Sequence, residues 1–93
     1  MEITFRVIYH HSVVKEDIPK LSRGWKKKVE RASEEKLMTR SEVYGKPLRR
    51  SLRGYRKLRV GNYRVIYRIA GDAVKVFVIQ HRSVVYKIAE KRS

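Results

Sequence analysis

An alternating run of apolar and basic side chains predicts a β-hairpin in the second half of the chain. The alternation runs through two segments that flank Gly61-Asn62. Alternation of this kind on either side of such a pair is typical of two antiparallel strands closed by a two-residue turn. With Gly61-Asn62 as the turn, Val60 pairs with Tyr63, and Arg59 lies directly opposite Arg64. The predicted register separates a cationic face, with Lys57, Arg59 and Arg64, from an apolar face, with Leu58, Val65 and Tyr67.

The N-terminal part is predicted to form a half-buried strand followed by a short helix. The alternating apolar positions of the strand are Ile3, Phe5, Val7 and Tyr9. His10-His11 is expected to be a loop or capping pair, and Ser12 is the predicted N-cap of the helix. Because proline has no backbone donor and clashes with the preceding turn, Pro19 predicts a helix that kinks or ends at Ile18. A turn is expected at Ser22-Arg23-Gly24.

A second, longer helix is predicted from one apolar stripe on an otherwise charged segment. The stripe consists of Leu21, Trp25, Val29 and Ala32, which lie on one side of a helix at about 100° per residue. Leu37 and Met38 fall off the stripe, so this end of the helix is expected to be frayed or covered by another element. The helix is predicted to end between Lys36 and Glu42. Residues 43–54, with two glycines and a proline, are expected to form a loop.

The C-terminal third predicts a central strand and a short final element. Gly71-Asp72 is the expected turn before a strand from Ala73 to Gln80, which is apolar on both faces except at Lys75. Such a strand is usually central in its sheet. The remaining residues are expected to form a short strand that passes into a terminal helical turn.

Together these elements predict a single α+β domain over residues 1–93. Its N-terminal strand and two-helix hairpin are expected to pack on one face of a mostly antiparallel four-stranded sheet. The cations are expected on the opposite, exposed face. A chain of this length buries roughly 60–70% of its unfolded surface.

The charge balance of the chain indicates which class of ligand it binds. Lys and Arg total 24 against 9 Asp and Glu, a formal charge of +15, which is typical of a nucleic-acid-binding protein. The chain has no Cys, which excludes a disulfide framework or a Cys-based zinc site. Its first residues lack the features of a signal peptide, and its apolar runs are too short for a membrane span. We therefore expect a cytoplasmic protein with no membrane partner.

The cations concentrate around the predicted hairpin. The segment from Lys46 to Arg68 holds nine Lys and Arg residues and no Asp or Glu. Like charges that face each other across strands destabilise a sheet by roughly 0.2–1 kcal/mol per pair. A sheet face that carries such pairs favours an anionic ligand, and the number of cations favours a polyanion.

Two strings in about the last 50 residues of the chain resemble the RelE/ParE superfamily of small toxins. They are YGKPLRRSLRGYRKLRVGNYRVIYRI and VFVIQHRSVVYK. The most specific pieces are the G-K-P-L string, the L-R-V-G-x-Y-R-V-I-Y hairpin and the H-R-x-x-x-Y ending. The first 40 residues match only in the order of elements. The resemblance implies a RelE-like fold, a cognate antitoxin as partner and, in the RelE-like branch, endonucleolytic cleavage of translated mRNA on the ribosome.

The resemblance also implies site residues. Positions implicated in cleavage by RelE-like nucleases correspond to Lys57, Arg64, Arg82 and Tyr86, and in some relatives to His81. Cleavage without a metal needs a base for the 2′-hydroxyl, cations for the phosphorane and an acid for the 5′-oxygen. The sequence has no carboxylate cluster with metal-binding spacing, so no metal or other cofactor is expected. The predicted RNA-binding residues are Arg49, Arg50, Arg53, Tyr55, Arg56 and Arg59.

Two other functions stay open at this point. A ParE-like gyrase inhibitor shares the fold but does not need the catalytic set. A relative that binds RNA without cutting it is favoured by Tyr55, since RelE-like nucleases often have a second lysine at that position. Tyr55 and Tyr86 are candidate stacking platforms for bases, and the run Lys26-Lys27-Lys28 is a solvated helix face or an extra contact for an RNA backbone.

Overall fold

The structure, a computed structural model, describes residues 5–37 and 46–93. The strands are β1 (Arg6–Tyr9), β2 (Lys46–Pro47), β3 (Arg56–Val60), β4 (Tyr63–Ala70) and β5 (Ala73–His81). The α-helices are α1 (Ile18–Lys20), α2 (Arg23–Ala32) and α3 (Val85–Arg92). A π-helical turn (Val13–Asp17) leads into α1, a second one (Ser33–Leu37) extends α2, and a 3-10 turn (Arg50–Leu52) follows β2.

The described strands form one sheet in the order β1-β5-β4-β3-β2. β1 is parallel to β5, and the other pairings are antiparallel. The predicted class, an α+β domain with a mostly antiparallel sheet, is confirmed. The predicted number of four strands is wrong, because Lys46 and Pro47 pair with β3 in a segment that was expected to be a loop. Proline is tolerated there because β2 is the last strand in the order, where a missing donor is not needed by a further strand.

The register of the β3–β4 hairpin is confirmed at each predicted position. Val60 pairs with Tyr63, and Arg59 lies opposite Arg64. Gly61 has φ +58°, a left-handed conformation that favours glycine. A Cβ atom at Gly61 would also lie 2.4 Å from Cη2 of Trp25, so the turn requires glycine for its backbone angle and for the contact with α2.

The apolar face of the sheet packs against the helices and forms the first of two cores. Its buried members include Leu21, Val29, Leu58, Val65 and Tyr67. Leu37 is fully buried in this core. This end of the helix was expected to be either frayed or covered by another element, and at Leu37 it is covered. The π-helical turn explains the change, because it adds residues to the turn and rotates Leu37 back toward the sheet. Residues 38–42, where the helix end was predicted, lie outside the described residues.

The cationic face is not open along its whole length, which corrects the prediction of an exposed sheet surface. α3 covers part of it and forms a second core, which includes Leu52, Ile66, Phe77, Val78, Val85 and Ala89. A β-bulge beside Ile66 places two consecutive β5 residues, Phe77 and Val78, on this side. The short final strand was a wrong prediction, since the chain turns after β5 directly into α3.

The caps of the N-terminal helices also differ from the prediction. Ser12 makes no side-chain capping bond. Instead the Ser12 backbone N–H donates to Nδ1 of His10 at 3.1 Å, so the expected capping role of the histidine pair belongs to His10. Burial, followed by the nearby charge of His11, lowers the pKa of His10 and favours the neutral ring that this bond needs. Ser22 opens α2 rather than a turn, with its Oγ accepting from the Trp25 backbone N–H.

A buried carboxylate, Asp17, joins the first helical segment to β5 and α3. β1 ends opposite Val76, and beyond that point the Ile79 backbone N–H donates to Oδ2 of Asp17 at 2.8 Å. The Gln80 side chain donates to Oδ1 at 2.6 Å. The Arg92 guanidinium donates to both carboxylate oxygens, at 2.8 and 2.7 Å. Hydrogen bonding to Asp17 raises the pKa of Arg92 above its ordinary value.

We expect Asp17→Asn to lower the free energy of unfolding far more than Asp72→Asn. Asp17 is 1% exposed, and removing one partner of a buried ion pair costs about 3–5 kcal/mol. Asp72 pairs with Arg6, but both side chains are about 70% exposed, and such pairs contribute about 0–1 kcal/mol. Urea denaturation of the two variants gives the comparison, and equal losses would contradict the central role of Asp17.

Candidate functional site

Four basic side chains line a shallow cavity of about 180 Å³ at the uncovered end of the cationic face. They are Lys46, Lys57, Arg59 and Arg64. Strand pairing brings them together: β2 sets Lys46 opposite Lys57, and the hairpin sets Arg59 opposite Arg64. We call this site the cationic cavity. Its lining contains no acidic residue.

The hairpin turn holds one of these cations in place. Nη1 of Arg64 donates to the carbonyl oxygens of Gly61 and Tyr63, both at 2.9 Å. These bonds direct the Arg64 guanidinium toward the turn and offset part of its repulsion with Arg59. The remaining guanidinium donors of Arg64 can bind a phosphate in the fork geometry that arginine provides.

Lys57 meets Tyr86 at the border of the cationic cavity. Nζ of Lys57 donates to the phenolic oxygen of Tyr86 at 2.9 Å, and the ammonium also lies 5.6 Å from the centre of the ring. Tyr86 belongs to the first turn of α3 and is 39% exposed. Because the ammonium is the donor, the Tyr86 O–H group is left to donate to a ligand. A proton donor and a cation therefore lie side by side next to Arg59 and Arg64.

His81 and Arg82 lie at the end of β5, beside the hairpin turn. His81 pairs with Tyr63, and their rings meet edge to face at 5.6 Å, which places His81 on the apolar face rather than in the cationic cavity. Its Nδ1 accepts from the Ser83 backbone N–H at 3.2 Å and contacts Ser83 Oγ at 2.8 Å. Arg82 is exposed, and its backbone N–H donates to the carbonyl of Asn62 at 2.8 Å.

The predicted RNA-binding residues are distributed over four places. Arg59 lies in the cationic cavity. Arg49, Arg50 and Arg53 are exposed around the 3-10 turn, which packs beside α3. Tyr55 is half-buried with its ring 5.1 Å from Phe77, and Arg56 alternates onto the side of Leu58.

Lys46 was missed as a site residue because its segment was expected to be a loop. The signal available in the sequence was the G-K-P-L string, which supplies a lysine directly before the edge proline. Its place in the site depends on pairing with Lys57, a contact between segments that residue patterns alone do not reveal.

A second basic groove lies on the other side of the hairpin tip. Trp25, Lys27, Lys28 and Arg31 of α2 contribute to its lining together with Val60 and Gly61, and its volume is about 370 Å³. Nζ of Lys28 lies 4.8 Å from the centre of the Trp25 ring. Two of the three lysines in the Lys26-Lys27-Lys28 run thus face a groove, and the tip of the hairpin has basic side chains on both sides.

Two other kinds of site are not found in residues 5–37 and 46–93. No three His, Asp or Glu side chains of this part are grouped so that they could hold a metal ion. No helix among these residues is both long enough and apolar enough to cross a membrane.

A known protein family matches most of the chain. The family described as ParE toxin of type II toxin-antitoxin system, parDE, matches residues 5–86. The comparison with curated proteins gives no match.

Solved structures with this fold include one at intermediate sequence identity. The toxin-antitoxin complex RelBE2 from Mycobacterium tuberculosis contains a chain that is 29% identical, with a TM-score of 0.80 and coverage of 87% of this chain and 94% of that one. The protein HP0894 from Helicobacter pylori is 10% identical, with a TM-score of 0.61 and coverage of 85% and 96%. YafQ from E. coli is 16% identical, with a TM-score of 0.56 and coverage of 86% and 96%. The last two show similarity of fold alone.

We expect Arg59→Thr to stabilise the protein. Arg59 is exposed and faces Arg64 directly across the strands, so its removal relieves a like-charge pair worth roughly 0.2–1 kcal/mol, and threonine suits a strand. Arg64→Thr should stabilise less, because it also loses two bonds to backbone carbonyls. Thermal and urea unfolding measure both changes. A lower free energy of unfolding for Arg59→Thr would show that the pair carries no strain.

Proposed function

Because the chain belongs to the RelE/ParE superfamily of type II toxins, we propose that it is an endoribonuclease that cleaves translated mRNA on the ribosome. The observation that carries this proposal is the contact between Lys57 and Tyr86 at the edge of the cationic cavity. A toxin that acts only by binding gyrase has no need for a proton donor paired with an ammonium beside phosphate-binding arginines.

The proposed reaction is attack of an RNA 2′-oxygen on the adjacent phosphorus. The O2′–P bond forms and the P–O5′ bond breaks, which leaves a 2′,3′-cyclic phosphate and a free 5′-hydroxyl. The 2′-hydroxyl loses its proton to a base, and the 5′-oxygen gains one from an acid. Lys57, as the free amine, is the proposed base for the 2′-hydroxyl, and the Tyr86 O–H is the proposed acid for the 5′-oxygen; the proton gained by Lys57 can then return to the Tyr86 oxygen through the contact between them. Arg59 and Arg64 are proposed to stabilise the charge on the phosphorane.

His81 and Arg82 remain proposed site residues, although neither lines the cationic cavity. Both lie beside the turn that also holds Arg64, and Arg82 is bound to that turn through its backbone. Arg82 is proposed to contact a phosphate next to the scissile one. His81 would approach the RNA from the Tyr63 side of the hairpin tip.

The shape of the cationic cavity supports a role for the ribosome. The cavity is small, and its lining residues supply charge but few groups that would orient a particular nucleotide. Ribosomal RNA would hold the mRNA in position while the toxin supplies the reactive groups. The basic groove around Trp25 would contact a second stretch of RNA backbone.

A cognate antitoxin is the proposed protein partner. The similar chain from M. tuberculosis is part of a toxin-antitoxin complex. At +15, the free protein would bind nucleic acid in a salt-dependent manner. We therefore expect the antitoxin either to cover the cationic cavity with acidic groups or to displace α3, which carries Tyr86.

The first test replaces the residues that carry the proposal. Lys57→Met and Tyr86→Phe should each abolish growth arrest on induction, since a group that transfers a proton contributes about 10²–10⁴-fold to a rate. Arg64→Ala should do the same because it removes a cation proposed to stabilise the phosphorane. Lys75→Met is the matched control, because Lys75 is an exposed strand lysine outside the cationic cavity. Circular dichroism checks that each variant folds. Full toxicity of a folded Lys57→Met variant would remove the proposed site.

The second test separates mRNA from gyrase as the target, which matters because the matching family is named for ParE. After induction, incorporation of labelled amino acids should stop first, while incorporation of thymidine continues. Primer extension on a translated message should then map new 5′ ends, and these should disappear when initiation is blocked. An early stop of thymidine incorporation with intact mRNA would support the gyrase-inhibiting alternative instead.

A further inference from the structure

α3 is held at both ends by polar side chains. In its first turn, Tyr86 accepts from Lys57. In its last turn, Arg92 donates twice to Asp17, once to the carbonyl oxygen of Phe77 at 3.1 Å and once to Glu16 at 3.1 Å. Six residues of helix span about 9 Å, so the two ends are far enough apart to act as separate points of attachment.

The helix depends on these attachments because it is short. Eight residues are too few for a helix that is stable by itself in water. Val85 and Ala89 are its fully buried side chains, and both are small. Ile88 is only partly buried against the same core, and Glu90 accepts from Ser51 at the exposed surface. Burying Val85 and Ala89 gives on the order of 2–3 kcal/mol together, which resists dissociation but leaves sliding or rotation of the helix weakly opposed.

The bonds of Arg92 do oppose sliding and rotation. A guanidinium that binds two carboxylate oxygens fixes a plane as well as a distance. The carboxylate it binds is itself immobile, since Asp17 also accepts from the Ile79 backbone and from Gln80. The side chain of Arg92 is only 11% exposed, so water is largely excluded from this attachment.

We propose that the Arg92–Asp17 pair is a latch that positions Tyr86 against Lys57, and that Arg92 is therefore a positioning residue for the site. Arg92 does not touch the cationic cavity. It acts through the rigid helix between positions 86 and 92: when the latch is open, the helix moves on its small apolar contacts and the Lys57–Tyr86 bond is lost. This inference deepens the proposed function, because the group that it positions is one of the two assigned to proton transfer.

The latch is tested first by a signal that does not depend on activity. 3-Fluorotyrosine is placed at position 86, and its ¹⁹F resonance is recorded in the full chain. Lys57→Met in the same background gives the resonance of a ring that has lost its lysine. Arg92→Gln should move the resonance toward that position, whereas Lys91→Gln should leave it unchanged. Lys91 is the matched control, since it is the exposed neighbour of Arg92 and its replacement removes the same charge.

Arg92→Lys keeps the charge but loses the fork, and it should give an intermediate shift. This variant also serves if Arg92→Gln fails to fold. The latch is overturned if folded Arg92→Gln, or Arg92→Lys in its place, leaves the resonance at the wild-type position. A lower melting temperature with an unchanged resonance would mean that Arg92 only stabilises the fold.

Activity then separates this inference from the proposed function. If both are correct, Arg92→Gln reduces cleavage of translated mRNA by about 10²-fold, the loss expected from displacing a reacting group by roughly 1 Å, and Lys91→Gln does not. If Lys57→Met stays toxic, the proposed function fails, but the ¹⁹F result still decides whether the latch positions Tyr86. A shifted resonance with normal cleavage by Arg92→Gln would overturn the role of the latch in the reaction.

Discussion

The rest of the structure depends on the hydrogen bonds and the ion pair that the Asp17 carboxylate makes. A buried charge is costly unless it is paired and fully hydrogen-bonded, and Asp17 meets both conditions with a backbone N–H, an amide and a guanidinium. β1 pairs with β5 only as far as Val76. Beyond that point Asp17 takes the place of a strand by accepting from Ile79, so one side chain closes the edge of β5 and fixes the helices on both faces of the sheet.

The two cores explain how the protein keeps four cations close together. Leu58 and Val65 are anchored in the core on the apolar face, and Ile66 is anchored in the core beneath α3. Because these neighbours hold the strands from both sides, Lys57, Arg59 and Arg64 cannot move apart without moving buried residues. The repulsion is therefore maintained in the free protein, and an anionic ligand would relieve it.

The sequence was sufficient to predict the features that depend on residues close together in the chain. The hairpin register followed from alternation around Gly61-Asn62, and the central position of β5 followed from its apolar character on both faces. Contacts between distant segments were not predictable. The pairing of Lys46 with Lys57 and the Arg92–Asp17 bridge leave no periodic signal. For Leu37 the sequence left fraying and coverage open, because a π-helical turn changes the phase of a helix.

The parallel pairing of β1 with β5 has a consequence for the order in which the chain folds. The β3–β4–β5 meander is made of neighbours in the sequence, and contacts of that kind form fastest. β1 pairs with a strand from the other end of the chain, so closing that long loop carries a larger entropic cost. The cations of β3 and β4 therefore come together when the meander forms. Tyr86 reaches its position beside Lys57 only when α3 docks on Asp17. A folding intermediate that lacks this docking would already carry the grouped cations while it lacks one half of the proposed proton-transfer pair.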